Sequence, residues 1–235
     1  AGNTTTGTES GTTLTVDQSD PTVTFVSSST SDGSYKSGEI VPILIATNEA
    51  ITVDTTSGTP SILLETGASD DAVAYTSGSL SNVLIFNYTV GTGDTSSDLD
   101  YKTTSALVLN SGTITDAAGN PLVLTLPAVG ALNSLGANKN LVIDTTVPVI
   151  SSVSPSTNST VLNANVGYTL SEAIASGNVT YTQTGGAADG ASPHEAALAG
   201  AELNAGVRAS AALTDAPTLV SGAIYSIAFN GTDAA

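Results

Sequence analysis

Residues 143–154 read I-D-T-T-V-P-V-I-S-S-V-S, and residues 16–27 read V-D-Q-S-D-P-T-V-T-F-V-S. Placed in register, Asp17 meets Asp144, Pro21 meets Pro148, and aliphatic and Ser positions coincide on either side. Two further pairs follow in the same order. N-E-A-I at 48–51 matches S-E-A-I at 171–174, and D-A-A-G-N stands whole at 116–120. The same phrase is split between D-A-A at 233–235 and A-G-N at 1–3, with one Ala counted twice. Landmarks in a constant order with unequal spacers mark an internal repeat. The 235 residues therefore divide into two modules, each of a size that buries its own core.

Between the landmarks lie short apolar or alternating runs: 41–47 (V-P-I-L-I-A-T), 61–65, 72–76, 83–90, 106–109, 166–170, 179–183 and 223–229. Each has the length of a strand, with Gly, Asn, Asp and Ser between them, the pattern of an all-β sandwich. One stretch, 192–205 (S-P-H-E-A-A-L-A-G-A-E-L-N-A), suits a short helix or turn, with Pro early and Ala and Leu after it. The repeat predicts that 18–144 is one complete sandwich and 145–235 a second that lacks its last strand. Residues 1–17 are then the final strand of a second-type domain. An identical neighbour would supply it, because a sandwich missing that strand exposes an edge and an apolar groove. Two versions stay open: a window cut from a tandem array, or subunits that each donate a strand to the next.

Composition bounds the function. There are 21 acids against 4 Lys and Arg, a formal net charge of −17. Nucleic-acid binding needs cationic groups against phosphates and is excluded as an expectation, as is an anionic membrane surface. A surface this acidic tolerates self-repulsion or recruits cations. Cys is absent, so there is no disulfide framework and no thiolate site. Met is absent too, which points to a processed or excised piece. No run of 18 apolar residues or signal peptide is present.

The motifs I-D-T-T-V-P at 143–148, S-E-A-I at 171–174, D-A-A-G-N at 116–120 and G-D-T-S-S-D-L-D-Y at 93–101 resemble those of bacterial immunoglobulin-like (Big-type) repeat domains of large secreted surface proteins and adhesins. The resemblance implies two tandem immunoglobulin-like β-sandwiches at the cell surface, commonly bearing calcium and acting as stalk or filament. The chain departs from that pattern where Q-S-D-P follows Asp17 and in an Ala-rich insertion at 186–216.

In such a sandwich the strands run alternately up and down. Glu49, Asp116, Asn120 and the lead-in acids Asp17 and Asp20 then fall at one end. The second module gathers Asp144, Glu172 and Asp233, with Asn3 from the neighbour. Asp98 and Asp100, beside Asp94, lie at the far pole of the first module, where they join a site or are simply solvated. Crowded carboxylates with an Asn carbonyl suit Ca²⁺, which takes roughly six to eight oxygens at about 2.3–2.6 Å; Mg²⁺ demands a stricter octahedron. The alternative is turn chemistry alone: D-A-A-G-N as a tight turn with Gly119 at positive φ, and Glu49 and Glu172 capping loop amides.

Other candidates read as structural. His194 has no G-x-S-x-G beside it and is expected on the surface or in a loop. Asp70 and Asp71 suit an exposed hairpin turn. Tyr75, Tyr88, Tyr168, Tyr181 and Tyr225 lie in strand runs and suit the core, while Lys36, Lys102, Lys139 and Arg208 are isolated. The sequons at Asn3, Asn87, Asn158, Asn178 and Asn230 carry little weight in a Thr-rich chain. No enzyme is expected. The function implied is a structural unit of an extracellular head-to-tail filament or stalk, stiffened by calcium at its junctions, whose partners are copies of itself. The alternative is an adhesin module that recognises a glycan or a surface ligand through loops of the second module such as 186–206.

Overall fold

The computed structural model describes residues 15–233. The chain is all-β and falls into two compact units, Ala1–Thr145 and Thr146–Ala235.

In the first unit, β1 (Val23–Ser28), β3 (Ile40–Asp54), β6 (Ser81–Thr89), β5 (Asp71–Ser77), β4 (Ser61–Leu64) and β8 (Leu107–Val108) are neighbours in that order, and β9 (Thr113–Thr115) joins β3. A smaller sheet places β10 (Leu141–Asp144) between β2 (Gly33–Tyr35) and β7 (Thr95–Ser96). A short helix, α1 (Leu135–Asn138), starts at Ser134, whose hydroxyl accepts from the Ala137 amide.

The third strand organises this unit. Val41, Ile43 and Ile45 point inward at the period of two that a strand imposes, and all are fully buried. Opposite them on β6 stand Leu84, Phe86 and Tyr88, also buried. The register with β6 then slips between Ala46 and Ile51, the mark of a bulge. Beyond the slip the strand pairs with β9 instead, Thr52 facing Thr115 and Val53 facing Ile114. The strand expected over 41–47 thus continues to Asp54, because a second partner takes up its backbone groups where β6 leaves off. This handover carries Glu49 to the end of the unit where Asp116 follows β9.

The core holds aliphatics from both sheets with Tyr88 and Tyr101 among them. Tyr101, in the 93–101 motif, is fully buried and donates to the Pro127 carbonyl at 2.6 Å. Lys102 is not isolated: it pairs with Glu65 and with Asp70. Asp70 sits in the turn before β5, while Asp71 opens that strand opposite Leu64. Burial, then the Asp94 charge, pushes the Asp71 carboxyl above its ordinary range.

The second unit has two three-stranded sheets. In one, β12 (Val166–Leu170) lies between β11 (Ile150–Ser154) and β15 (Gly206–Ala211). In the other, β13 (Ser176–Gly186) lies between β14 (His194–Ala197) and β16 (Ala223–Thr232). Val166, Tyr168, Leu170, Val179 and Tyr181 fill the core. The stretch 192–205, expected as a helix or turn, is half strand: β14 comes first, then a 3-10 turn over Gly200–Leu203. Ala196 is fully buried opposite Val179, so pairing with β13 overrides the helix preference of Ala.

The repeat is visible in hydrogen bonds as well as in letters. The Asn48 amide donates to the Thr22 carbonyl (3.1 Å), and the Thr22 amide donates to Asn48 Oδ1 (2.7 Å). At the matching places the Ser171 amide donates to the Val149 carbonyl (3.0 Å), and the Val149 amide donates to Ser171 Oγ (2.8 Å).

Candidate metal centre

Asp17, Glu49 and Asp116 offer carboxylate oxygens that all lie within 4.8 Å of one another. Asp17 is exposed on the lead-in segment, Glu49 is half-buried on β3 just past its slip in register, and Asp116 is buried at the end of β9.

The turn holds Asp116 in place. Its Oδ1 accepts from the amides of Ala118 and Asn120, each at 2.8 Å, and its Oδ2 accepts from Asn120 Nδ2 at 2.7 Å. The Asp116 amide donates to the Asn120 carbonyl at 3.0 Å, closing the turn through Gly119, whose φ is +96°. Burial alone would raise the Asp116 pKa. The donors of Asn120, Gly119 and Ala118 outweigh it and hold the carboxyl below its ordinary value. Asp116 is therefore a carboxylate at neutral pH.

Asn120, expected as an oxygen ligand, also acts through its amide nitrogen. Its amide nitrogen faces Asp116 Oδ2 and, at 3.4 Å, the Asp17 carbonyl, so it joins the lead-in segment to the turn. Asn48 Nδ2 donates to Glu49 Oε1 at 3.4 Å, and Asp17 Oδ1 accepts from the Ser19 amide at 3.0 Å. Turn chemistry and clustering thus coexist: Asp116 closes its turn with three bonds and still stands near two other carboxylates.

Asp20 is exposed and stands outside the three-carboxylate group. Asp98 and Asp100 also stand outside it. Asp100 is buried and pins two loops, accepting from the Tyr101 amide (2.9 Å) and the Gly130 amide (3.0 Å). Burial, then the charge of Asp100, raises the Asp98 pKa. Asp144 ends β10 in the first unit. In the second, the Ala175 amide donates to the Thr232 carbonyl at 2.8 Å, which brings the turn that carries Glu172 to the end of β16 that leads to Asp233. Asn3 lies outside the described residues.

A polar network escaped the sequence reading. His194, expected on the surface or in a loop, is half-buried at the start of β14: its Nε2 lies 2.6 Å from Asp189 Oδ2, and its side chain is 16% exposed. The Tyr225 hydroxyl donates to the same oxygen at 2.5 Å, and the Ala191 amide donates to Asp189 Oδ1 at 3.0 Å. The Asp189 amide donates in turn to Gln183 Oε1 at 3.0 Å. These bonds lash the connection after β13 to its own sheet. The residues come from three separate stretches of the chain, so no local spacing announces them.

No helix among the described residues is long and apolar enough to cross a membrane. The chain matches no known protein family, no curated protein and no solved structure.

Proposed function

We propose that this chain is a structural unit of an extracellular head-to-tail thread, a filament or an adhesin stalk of immunoglobulin-like sandwiches in which calcium stiffens the chain leading into a sandwich. Its role is mechanical and not enzymic. The observation that carries this reading is the approach of Asp17, Glu49 and Asp116 to within 4.8 Å. Like charges at that distance repel, and a divalent cation turns the repulsion into attraction. Carboxylate and carbonyl oxygens are hard donors, and their irregular geometry suits Ca²⁺ better than Mg²⁺. Asp17 precedes the first strand, so an ion held by all three side chains would add to the Asn120–Asp17 contact in tying the lead-in segment to the body of the sandwich.

The thread itself is supported by the repeat and by an open edge. Among the described residues β16, ten residues long, pairs only with β13. An edge of that length is a template for another strand. The second sandwich is completed, in this reading, by the N-terminal segment of a neighbouring copy, whether as a separate subunit or within one array. The 186–206 stretch contributes β14 and a 3-10 turn, which favours the structural reading over ligand recognition by that stretch.

Calcium titration of the full chain tests the site. Binding by calorimetry, a melting temperature raised by Ca²⁺ and restored by EGTA, and loss of both effects in Glu49→Gln are the expected results. Absence of binding at millimolar Ca²⁺ overturns the metal.

A further inference from the structure

The first unit contains its own template for the strand that the second awaits. Its β10 runs parallel to β2, with Leu141 facing Gly33, Val142 facing Ser34 and Ile143 facing Tyr35. Leu141 and Ile143 are buried, and Tyr35 packs against the core beside them. By the repeat, residues 14–17 (L-T-V-D) correspond to Leu141–Asp144 (L-V-I-D).

Where Ile143 is 2% exposed, Val16 is 70% exposed. In the second unit the connection between its first two strands, 155–165, has the same length as 29–39 in the first. The β2 positions fall by count on Ser159, Thr160 and Val161. Those residues form no strand, and Val161 and Leu162 are exposed, Leu162 completely. The first unit leaves the β10-like stretch at Val16 exposed, and the second leaves its β2-like positions without a strand partner.

We infer that residues 14–17 of a second copy dock alongside residues 159–161, in parallel, with Thr15 beside Thr160 and Val16 beside Val161. This rests on the thread reading and specifies its joint. The occupant is a second copy because the segment carries the same alternation, aliphatic at 14 and 16 and Asp at 17, that β10 uses for the corresponding place. In residues 1–17 the large apolar side chains are Leu14 and Val16, so these two are the plugs. Docking shields Val16 and Val161 together and gives the 159–161 backbone the partner that β10 gives β2.

The chain has no Cys, so single cysteines report contact cleanly. Full-length Val16→Cys is mixed under mild oxidation with a size-tagged full-length Val161→Cys. In a parallel mixture the tagged chain carries Val129→Cys, a comparably exposed position. Mixed disulfide should form at least about tenfold faster with Cys at 161, because docking raises the local thiol concentration. Equal rates overturn the inference. So does an intrachain bridge in the double variant at high dilution. Electron microscopy of the wild-type chain separates the two levels: threads without the 16–161 bridge sink this joint and leave the thread reading standing, whereas absence of threads together with absence of the bridge sinks both.

Discussion

Asn48 and Thr22 exchange two hydrogen bonds, and Ser171 and Val149 repeat the exchange in the second unit with a hydroxyl in place of an amide oxygen. The clasp fixes the residue before Glu49 against the segment that follows Asp17. It predicts that Asn48→Ala destabilises the first unit by about 1 kcal/mol, the net worth of one such bond, and that Asn48→Ser recovers part of the loss. Urea unfolding of the two variants checks this; equal stabilities for Ala and Ser would remove the clasp from the account.

Calcium at a hundredfold excess over its dissociation constant should stabilise the folded chain by about 2.7 kcal/mol. Asp116→Asn should lose that gain and also melt lower in EGTA, because the change weakens the acceptor for the Ala118 and Asn120 amides. Glu49→Gln, on a half-buried side chain outside that turn, should lose the calcium gain alone. Thermal melts with and without EGTA distinguish the two patterns.

Acid should loosen the second unit through Asp189. The Tyr225 hydroxyl, the His194 ring and the Ala191 amide hold its pKa down to about 2. An unfolded Asp titrates near ~3.9. The folded form binds the proton more weakly, so the stabilisation is present above pH ~4 and is lost as pH falls toward 2. Stability measured across that window should fall less steeply in Asp189→Asn than in the wild type; identical slopes would show that the network carries no linked proton.

Glycine positions give an independent check of the backbone. Gly78 has φ +106°, and a Cβ there would stand 2.1 Å from the Val83 carbonyl oxygen. Gly78→Ala should cost roughly 1–3 kcal/mol. Gly190→Ala meets open space at an ordinary φ and should be close to neutral. Chemical denaturation compares them directly.

Core and polar contributions should separate by size. Ile43→Ala removes a fully buried side chain and should cost about 2–5 kcal/mol. Tyr181→Phe keeps the ring and removes only the bond to the Ala164 carbonyl, at a cost of about 1 kcal/mol. The same burial raises the Tyr181 hydroxyl to about 12, so this ring should resist ionisation in mild alkali, which absorbance titration reads.

Much of the strand content was legible because short apolar runs of strand length at 41–45 and 83–88 are bounded by turn residues, and a strand's period of two sends alternate side chains to one buried face. The turn at 116–120 was legible for an equally local reason: Asp accepts amides two and four residues ahead, and Gly takes the positive φ. The extension of β3 to Asp54 was not, since the apolar run stops at Thr47 and only the second partner, β9, keeps the chain extended. Nor was β14, where Ala-rich sequence favours a helix in isolation. The Tyr225 hydroxyl on Asp189 and the Gly130 amide on Asp100 are contacts with residues 30 or more positions away in the chain.

By itself the sequence determined the repeat, the all-β character and the local chemistry of its turns, because these follow from spacing, side-chain shape and φ preference within a few residues. Strand polarity placed Asp17, Asp20, Glu49 and Asp116 at one end, and only the tertiary structure decided which of them approach closely. A slip in register on β3 and the handover from β6 to β9 bring Glu49 beside Asp116, while Asp98 and Asp100 go elsewhere. Such partnerships are set by pairing between strands distant in sequence, and no local pattern encodes which backbone a strand will find.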